Sequence, residues 1–154
     1  MNREHRISAG AIIVQGGRIL LVRYGDALHG RSYLVGPGGR VENDENIIQA
    51  VVREVKEETG LDVTPDKILF IEDLISQRTR MVKIWVLCRP IGGQLVKTQG
   101  AVNEGIIEAK WYHKEELKDE VVYPTILAST DWLKFLEDGW EAKHLESKDA
   151  DADF

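Results

Sequence analysis

The stretch from Gly39 to Leu61, which reads GRVENDENIIQAVVREVKEETGL, constrains this chain more than any other part of it. It predicts one helix that carries Glu54, Glu57 and Glu58 near its end. Successive helical residues turn by about 100°, so these three carboxylates crowd one side of the helix. Carboxylates this close repel each other. A hard divalent cation such as Mg²⁺, which prefers oxygen ligands, would offset that repulsion.

A solvated acidic face is the ordinary explanation for such residues, and a helical wheel argues against it here. The wheel places Glu54 and Glu58 at the edge of an apolar arc, not opposite it. That arc contains Ile47, Ile48, Val51, Val52 and Val55, and the opposite arc contains Asn46, Gln49, Arg53 and Lys56. Carboxylates at the margin of a core are costly unless they are paired. Arg53 can pair with Glu57 four residues later, but one arginine cannot neutralise three glutamates.

A glycine-rich segment, Gly36-Pro37-Gly38-Gly39, precedes the helix. Its glycines permit close backbone approach, so Gly38 and Gly39 are candidate substrate-binding residues through their backbone groups. Such a segment is more often a plain turn. It points to a binding site here because it lies at a fixed distance along the chain from the carboxylates. Asn43 or Asp44 is expected to cap a helix running from about Glu45 to Thr59, with Gly60 ending it.

The whole arrangement resembles the Nudix box, G-x5-E-x7-R-E-U-x-E-E-x-G-U, in which U is aliphatic. The chain matches every specified position, with Gly39, Glu45, Arg53, Glu54, Val55, Glu57, Glu58, Gly60 and Leu61. The likeness extends over most of residues 6–137. It implies an α+β fold, the Nudix α/β/α sandwich with a mixed β-sheet between helices. It also implies Mg²⁺-dependent hydrolysis, with Mn²⁺ as a substitute, of a nucleoside diphosphate linked to another group X.

The same resemblance assigns roles within the box. The implied metal ligands are Glu54, Glu57, Glu58 and the carbonyl of Gly39. Glu54 and Glu57 also count as catalytic residues, as does Arg53, which is expected to orient the glutamates. Glu45 is interpreted as structural, because it lies close to the helix start, where a negative charge is favoured.

Members of the Nudix family often draw a general base or an extra ligand from a later loop. Glu104 and Glu108 are the candidates in this chain. Either can equally be a solvated glutamate. Glu104 is slightly favoured, because it sits beside Gly105 in a loop that can bring it over a metal.

Substrate contacts are predicted at several scattered positions. Arg23, at the end of a strand, and Arg78, in a hairpin turn, can bind phosphate, although an exposed arginine is usually only surface. Tyr33 and Trp85 can stack on a base, although Trp85 in its apolar strand is more simply a core residue.

The substrate itself stays open. ADP-ribose pyrophosphatases of this family often carry a proline after the box, where this chain reads Ile75-Ser76-Gln77. Dinucleoside polyphosphate hydrolases often carry a tyrosine slightly later, where it reads Gln77-Arg78-Thr79. The chain is compatible with a nucleoside triphosphate or a nucleotide sugar.

Composition fits one domain, expected over residues 1–140, followed by an acidic, flexible tail over 141–154. The 154 residues carry a net charge of −6 without a long basic run, which argues against binding to duplex nucleic acid. Cys88, the single cysteine, is expected in the core of a protein in a reducing compartment. No run is long enough to span a membrane. The protein is therefore expected to be cytoplasmic, and the resemblance adds a homodimer as an expectation.

The expected order of elements is strands, one helix, more strands and a second helix. Strands are expected over residues 7–14, 18–24, 33–35, 68–75, 81–89 and 109–113. Loops or turns are expected over residues 25–31, 90–93 and 98–105, and a helical turn over 114–117. A second long helix is expected to begin at Pro124, with Ile126, Leu127, Trp132, Leu133 and Leu136 buried.

Two further hypotheses belong to other classes. The first is a catalytically silent Nudix-like domain that binds a nucleotide for regulation. The intact acidic cluster argues against it, because a domain without catalysis has no need to keep the repulsion. The second is a protein-interacting domain with an acidic helix, which would show no rise in thermal stability with Mg²⁺ and a nucleotide.

Overall fold

The computed structural model describes residues 2–26, 31–146 and 148–149, and its strands form one mixed sheet. The strands are β1 (Glu4–Gln15), β2 (Arg18–Asp26), β3 (Arg31–Val35), β4 (Gly38–Arg40), β5 (Leu61–Ile75), β6 (Thr79–Gly93), β7 (Ile106–Tyr112), β8 (Val122–Tyr123), β9 (Lys143–His144) and β10 (Lys148–Asp149). The α-helices are α1 (Ile47–Thr59) and α2 (Gln99–Asn103), and the 3-10 helices are Lys114–Leu117, Thr125–Ala128 and Trp132–Leu136.

Strand β1 holds the two halves of the sheet together, and its pairing positions the site. Along one edge it pairs in parallel with β6. Along the other edge it pairs antiparallel with β4 through Ser8 to Gly10, and with β2 only at Val14 and Gln15. The sheet therefore divides beside β1, and the glycine-rich β4 lies at the division. Helix α1 follows β4 after a short connection, so its first turn starts close to this split.

The two faces of the sheet carry separate hydrophobic clusters. Side chains on β1 alternate between them, as the period of two in a strand requires. Ala9, Ala11 and Ile13 pack with α1 on one face. Ile12 and Val14 pack on the other face with residues of the last two 3-10 helices. This layering, with helical segments on both faces of a mixed sheet, is the α+β sandwich expected from the sequence.

Helix α1 begins two residues later than expected. Its N-cap is Asn46, and not Asn43 or Asp44 as predicted. The Asn46 side chain accepts from Gln49 N at 2.9 Å, and the Gln49 side chain accepts from Asn46 N at 2.8 Å. This reciprocal capping box satisfies two backbone donors that a more distant residue would leave open. The helix ends at Gly60, as predicted, with φ of 82°.

The predicted second long helix is wrong. Two 3-10 helices replace it, because the polar segment Ser129-Thr130-Asp131 interrupts it and Asp131 caps the second piece. Leu127 and Trp132 are buried as predicted, and Ile126 is half-buried, whereas Leu133 and Leu136 are exposed. The buried residue that replaces them is Phe135, which makes edge contacts with the rings of Phe70 and Trp140.

Two segments that the sequence predicted as a turn and a loop form regular secondary structure. Residues 90–93 are not a turn, because β6 continues through them opposite the start of β5, with a bulge that accommodates Pro90. Residues 98–105 are not simply a loop, because Thr98 caps α2 through a hydrogen bond from Ala101 N at 2.9 Å. The other predicted strands and the helical turn at 114–117 are confirmed, although most strands are longer than expected.

Parts of two expectations lie outside the described residues. In the loop expected over 25–31, Gly25 and Asp26 belong to β2 and Arg31 to β3, and residues 27–30 are not described. In the expected tail, β9 pairs with β5, and residues 147 and 150–154 are not described. Among the described residues, no helix has the length and apolar character that crossing a membrane requires. Cys88 is buried in the core beneath α1, as predicted.

Trp85 joins the two halves of the sheet and needs two glycines beside it. Its ring occupies the space in which a Cβ on Gly10 or Gly36 would lie, at 2.4 and 2.6 Å from the nearest ring atom. Trp85 Nε1 donates to Glu72 Oε1 at 2.6 Å, which fixes the ring in that position.

We expect Gly10→Ala to lower the free energy of unfolding by roughly 1–3 kcal/mol, because the new methyl group overpacks against the buried ring. Urea denaturation measures the change. Gly139→Ala is the control, since a Cβ there meets no heavy atom within 4 Å. Equal stabilities of the two variants would contradict this packing argument.

Candidate active site

Helix α1 presents its glutamates to the core more directly than the wheel predicted. Glu54 and Glu58 are 5% and 0% exposed and lie inside the buried face with Ala50, Val51 and Val55. The predicted apolar residues Ile48 and Val52 are exposed instead. The prediction that the glutamates lie at the edge of the apolar arc is therefore wrong. The helix is rolled toward β4, whose glycines leave room for the carboxylates.

Glu54 lies directly against Gly39. A Cβ on Gly39 would lie within 2.5–2.7 Å of the Glu54 carboxyl atoms, so only glycine permits this approach. Glu54 Oε1 accepts from Arg53 Nη1 at 2.9 Å, whereas the buried Oε2 has no hydrogen-bond partner in the described structure. Burial raises the pKa of Glu54 to about 7, against the lowering effect of Arg53. A buried, unpartnered carboxylate oxygen is the kind of atom that a bound cation satisfies.

Glu58 is held by the glycine segment and by a tyrosine. Its Oε1 accepts from Gly38 N at 2.9 Å, and its Oε2 accepts from the Tyr24 hydroxyl at 3.4 Å. Burial, together with a hydrogen bond with Glu104, raises the pKa of Glu58 to about 9. Two carboxyl groups can share a hydrogen bond only when one of them is protonated.

Helix α2 brings Glu104 to this cluster. Thr98 Oγ1 donates to the carbonyl of Glu57, and Gly100 lies close against the same carbonyl, so α2 docks on the end of α1. Glu104 follows directly as the C-cap of α2. One carboxylate oxygen from each of Glu54, Glu57 and Glu104 lies within 4.8 Å of the other two. This spacing suits oxygen ligands of one cation.

Arg53 lies on the solvent side of the cluster and donates hydrogen bonds to several residues of the Nudix box. It donates to Glu45 at 2.9 and 2.5 Å, to Glu54 at 2.9 Å and to Glu57 at 3.1 Å. It also donates to the carbonyl of Arg40 at 3.0 Å. Glu45 thus holds Arg53 in place, and Arg53 with the Glu42 amide lowers the pKa of Glu45 to about 2. Arg53 therefore contacts Glu45, Glu54 and Glu57 at once, and the structural role expected for Glu45 and the orienting role expected for Arg53 stay predictions.

Glu108 and Arg23 lie together on neighbouring strands, apart from this carboxylate group. Glu108 is half-exposed and lies 4.0 Å from Arg23. The Arg23 guanidinium is bound by both oxygens of Glu120, at 2.6 and 3.0 Å, and donates to Ser32 at 2.9 Å. Glu120 raises the pKa of Arg23 further. The predicted contact of Arg23 with phosphate stays a prediction, and it requires phosphate to compete with Glu120.

Arg78 lies at the far end of the sheet, in the turn between β5 and β6, where its carbonyl accepts from Glu4 N at 2.8 Å. The neighbouring Thr79 pairs with Glu4, whereas Gly39 pairs with Ala9. Five residues of strand therefore separate this turn from the glycine segment, a distance of about 16 Å. The structure does not bring Arg78 to the carboxylates.

The two predicted base-stacking residues differ in exposure. Trp85 is 1% exposed, which agrees with its interpretation as a core residue. Tyr33 is 40% exposed and stacks on Tyr24 with ring centroids 5.4 Å apart. It also meets Tyr123 edge-on at 5.7 Å. These three rings, here called the tyrosine cluster, adjoin the carboxylates because Tyr24 donates to Glu58.

Sequence reasoning missed Tyr24 and Lys83. The Lys83 ammonium lies 4.3 Å from the centre of the Trp85 ring, and that ring packs against Gly36 of the glycine segment. Burial lowers the pKa of Lys83, whereas Glu58, Glu72 and Glu54 raise it. The spacing of two residues along β6 does indicate that Lys83 faces the same side of the sheet as Trp85. For Tyr24 no local signal existed, since its contact with Glu58 joins residues far apart in the chain.

Comparison with known proteins identifies the family of this chain. The family model of the NUDIX domain matches residues 4–133. The chain belongs to the NUDIX hydrolase family. The 8-oxo-dGDP phosphatase NUDT18 of Homo sapiens is 37% identical over 101 residues, which are 66% of this chain and 28% of that protein. The chain thus spans less than a third of the length of the first curated relatives it matches.

Solved structures share the fold. An ADP-ribose pyrophosphatase from Streptococcus suis superposes with a TM-score of 0.66 at 24% identity, covering 90% of this chain and 98% of that one. A MutT NUDIX hydrolase from Burkholderia pseudomallei gives a TM-score of 0.67 at 26% identity, covering 82% and 96%. The expected Nudix resemblance and α+β fold are confirmed.

Burial of Glu58 predicts a specific dependence of stability on pH. Its pKa is raised from an ordinary value of 4.5 to about 9, so between these values the folded protein keeps a proton that the unfolded chain releases. Without divalent cations, the contribution of Glu58 to the free energy of unfolding is therefore present below about pH 4.5 and is lost as pH rises toward 9.

Urea denaturation in chelator at several pH values tests this dependence. Glu58→Gln keeps an acceptor for Gly38 N and cannot ionise, so its stability should fall less steeply between pH 5 and 9 than that of the wild type. Glu115→Gln, at an exposed glutamate, is the control and should follow the wild type. Identical slopes for Glu58→Gln and wild type would contradict the prediction.

Proposed function

We propose that this protein is a Mg²⁺-dependent pyrophosphohydrolase that cleaves the diphosphate of a nucleoside diphosphate linked to another group. The observation that carries the proposal is the carboxylate group of Glu54, Glu57 and Glu104 beside a buried oxygen of Glu54 that has no partner in the described structure. Membership in a family of hydrolases supports the same conclusion.

The residues present fit a divalent cation. Glu54, Glu57 and Glu104 would hold it, with Glu58 and the Gly39 carbonyl as the further ligands implied by the Nudix box. The Gly39 carbonyl accepts from Ser8 Oγ at 2.8 Å, so a cation bound there would share this oxygen with the Ser8 hydroxyl. A bound cation at such a site offsets phosphate charge and acidifies water.

The chain's own residues supply the remaining parts of the reaction. Arg53 keeps Glu54 and Glu57 oriented, and the hydrogen bond from Gly38 N keeps Glu58 in place. Glu104 is also the proposed general base, in addition to the one oxygen that it would offer the cation, because its carboxylate lies within the cluster, whereas Glu108 lies beside Arg23. Its position at the end of the short α2 allows it to accept a proton from the attacking water.

The tyrosine cluster favours a substrate with a flat group. Tyr33 and Tyr123 are 40% and 45% exposed, so their rings offer apolar area to a base beside the carboxylates. Human NUDT18 is named for 8-oxo-dGDP, and the Streptococcus suis protein is named for ADP-ribose. We infer that a purine nucleoside diphosphate derivative is the first class to test. Nucleoside triphosphates and nucleotide sugars complete the screen, with products identified by mass.

A catalytically silent nucleotide-binding domain is the alternative proposal. It shares every binding contact and differs only in turnover. Against it stands the full set of box residues in mutual contact, since Arg53 still bridges Glu45, Glu54 and Glu57. Release of a phosphate-containing product under Mg²⁺ separates the two proposals.

We expect Glu57→Gln to reduce turnover of the substrate found in that screen by about 100-fold or more, because it removes an anionic ligand from the cluster. Measurement of kcat with Mg²⁺ and with Mn²⁺ tests this. Glu115→Gln should retain wild-type kcat. Full activity of Glu57→Gln would overturn the metal assignment, and nucleotide binding by a wild type without turnover would favour the silent domain.

The choice between the two late glutamates has its own test. Glu104→Gln should lower kcat roughly 10²- to 10⁴-fold, the range expected for losing a general base. Glu108→Gln should have a much smaller effect, because Glu108 contacts Arg23 and not the cluster. The assignment of Glu104 fails if Glu108→Gln proves the more damaging change.

A further inference from the structure

Lys83 lies in a row of paired residues that leads to the glycine segment. On β6 it pairs with Ser8 of β1, and Ser8 pairs in turn with Arg40 of β4. Two strand spacings, or about 10 Å, therefore separate the Lys83 backbone from β4. Ser8 Oγ donates to the Gly39 carbonyl at 2.8 Å, so the same row contacts the backbone on which Glu54 rests.

The Lys83 side chain is fixed by an aromatic ring. Its Nζ lies 4.3 Å from the centre of the Trp85 ring. That ring is itself immobilised by its hydrogen bond to Glu72 and by its packing against Gly10 and Gly36. A lysine that would otherwise sample many rotamers is thus held in one direction, which lowers the entropy lost when a ligand binds.

The Lys83 ammonium makes no hydrogen bond and no ion pair with any residue that the structure describes. The half-buried Arg23 and Arg53, by contrast, contact carboxylates at 2.6 and 2.5 Å. Lys83 is also half-buried, and the loss of water lowers its pKa, whereas Glu58, Glu72 and Glu54 raise it. An ammonium without a protein acceptor gains a charge-assisted hydrogen bond from an anion that supplies one.

The proposed reaction brings one kind of anion to this cluster, the diphosphate of the substrate. Cations on the carboxylates would offset their negative charge and leave the positive charge of Lys83 to attract that anion. Lysine binds phosphate as a point charge and needs no planar fork of donors. We propose that Lys83 is a substrate-binding residue whose ammonium pairs with a phosphate oxygen at the carboxylate cluster. This inference rests on the proposed function.

Methylenediphosphonate, a diphosphate analogue that resists hydrolysis, tests the proposal without turnover. Calorimetry measures two affinities for each protein, that for Mg²⁺ alone and that for methylenediphosphonate in saturating Mg²⁺. Lys83→Met should weaken diphosphonate binding about 10- to 100-fold, the range for one hydrogen bond between charged groups. Its Mg²⁺ affinity should stay equal or rise, because a positive charge near the cation is removed.

Lys143→Met is the matched control, since Lys143 Nζ also lies over an indole, 4.5 Å from the centre of the Trp140 ring, on the far side of β5. It should change neither affinity. Lys83→Arg should bind diphosphonate more tightly than Lys83→Met. Parallel loss of both affinities in Lys83→Met would mean a structural role and overturn the proposal, as would diphosphonate affinity equal to that of Lys143→Met.

The experiment also separates this inference from the proposed function. If the wild type binds diphosphonate only with Mg²⁺ and Lys83→Met binds it equally well, the proposed role of Lys83 is ruled out and the proposed function is not. A wild type that binds neither Mg²⁺ nor diphosphonate would remove the proposed function and this inference with it.

Discussion

Everything at the candidate site depends on two carboxylates that α1 inserts into the protein interior. Glu54 and Glu58 lie on the buried face of the helix, where apolar side chains would stabilise the fold more than carboxylates do. Arg53 and the Gly38 amide offset part of that cost. Burial still raises the pKa of Glu54 to about 7 and that of Glu58 to about 9, so part of the cost remains. The site is thus a region in which stability is given up for a ligand, as strained functional sites commonly are.

The surrounding elements serve to keep those carboxylates in place. Gly39 permits Glu54 to lie on the backbone of β4, and the Asn46 cap fixes where α1 begins. Thr98 then couples α2 to the end of α1, so that Glu104 reaches the same point from a different segment. Because α1 packs on the sheet and α2 docks on α1, the carboxylate oxygens are held in fixed positions relative to one another by the fold itself.

The sequence predicted well what depends on spacing within one segment, and poorly what depends on tertiary packing. The helix, its C-terminal glycine and the clustering of its glutamates follow from a local pattern. How far α1 rolls toward β4 depends on the glycines of another strand, so Glu54 was expected at the edge of the buried face and lies inside it. The single helix expected after Pro124 is interrupted by Ser129-Thr130-Asp131, and tertiary packing then buries Phe135 in place of the expected Leu133 and Leu136. Lys83 was overlooked because the residues around it come from distant parts of the chain, with Glu54 and Glu58 on α1, Glu72 on β5 and Ser8 on β1.

The positively charged side chains around the carboxylate cluster lie on two different sides of it. Arg53 stands on the side of Glu45 and Glu57, and its donors are already taken up by carboxylates and by the Arg40 carbonyl. An anion approaching from that side would meet an arginine with little capacity left. Lys83 stands on the face of the sheet that carries Trp85, where its ammonium has no acceptor among the described residues. On the proposed function, a diphosphate would approach the cluster from the Lys83 side, while Arg53 holds the carboxylates from the side of Glu45.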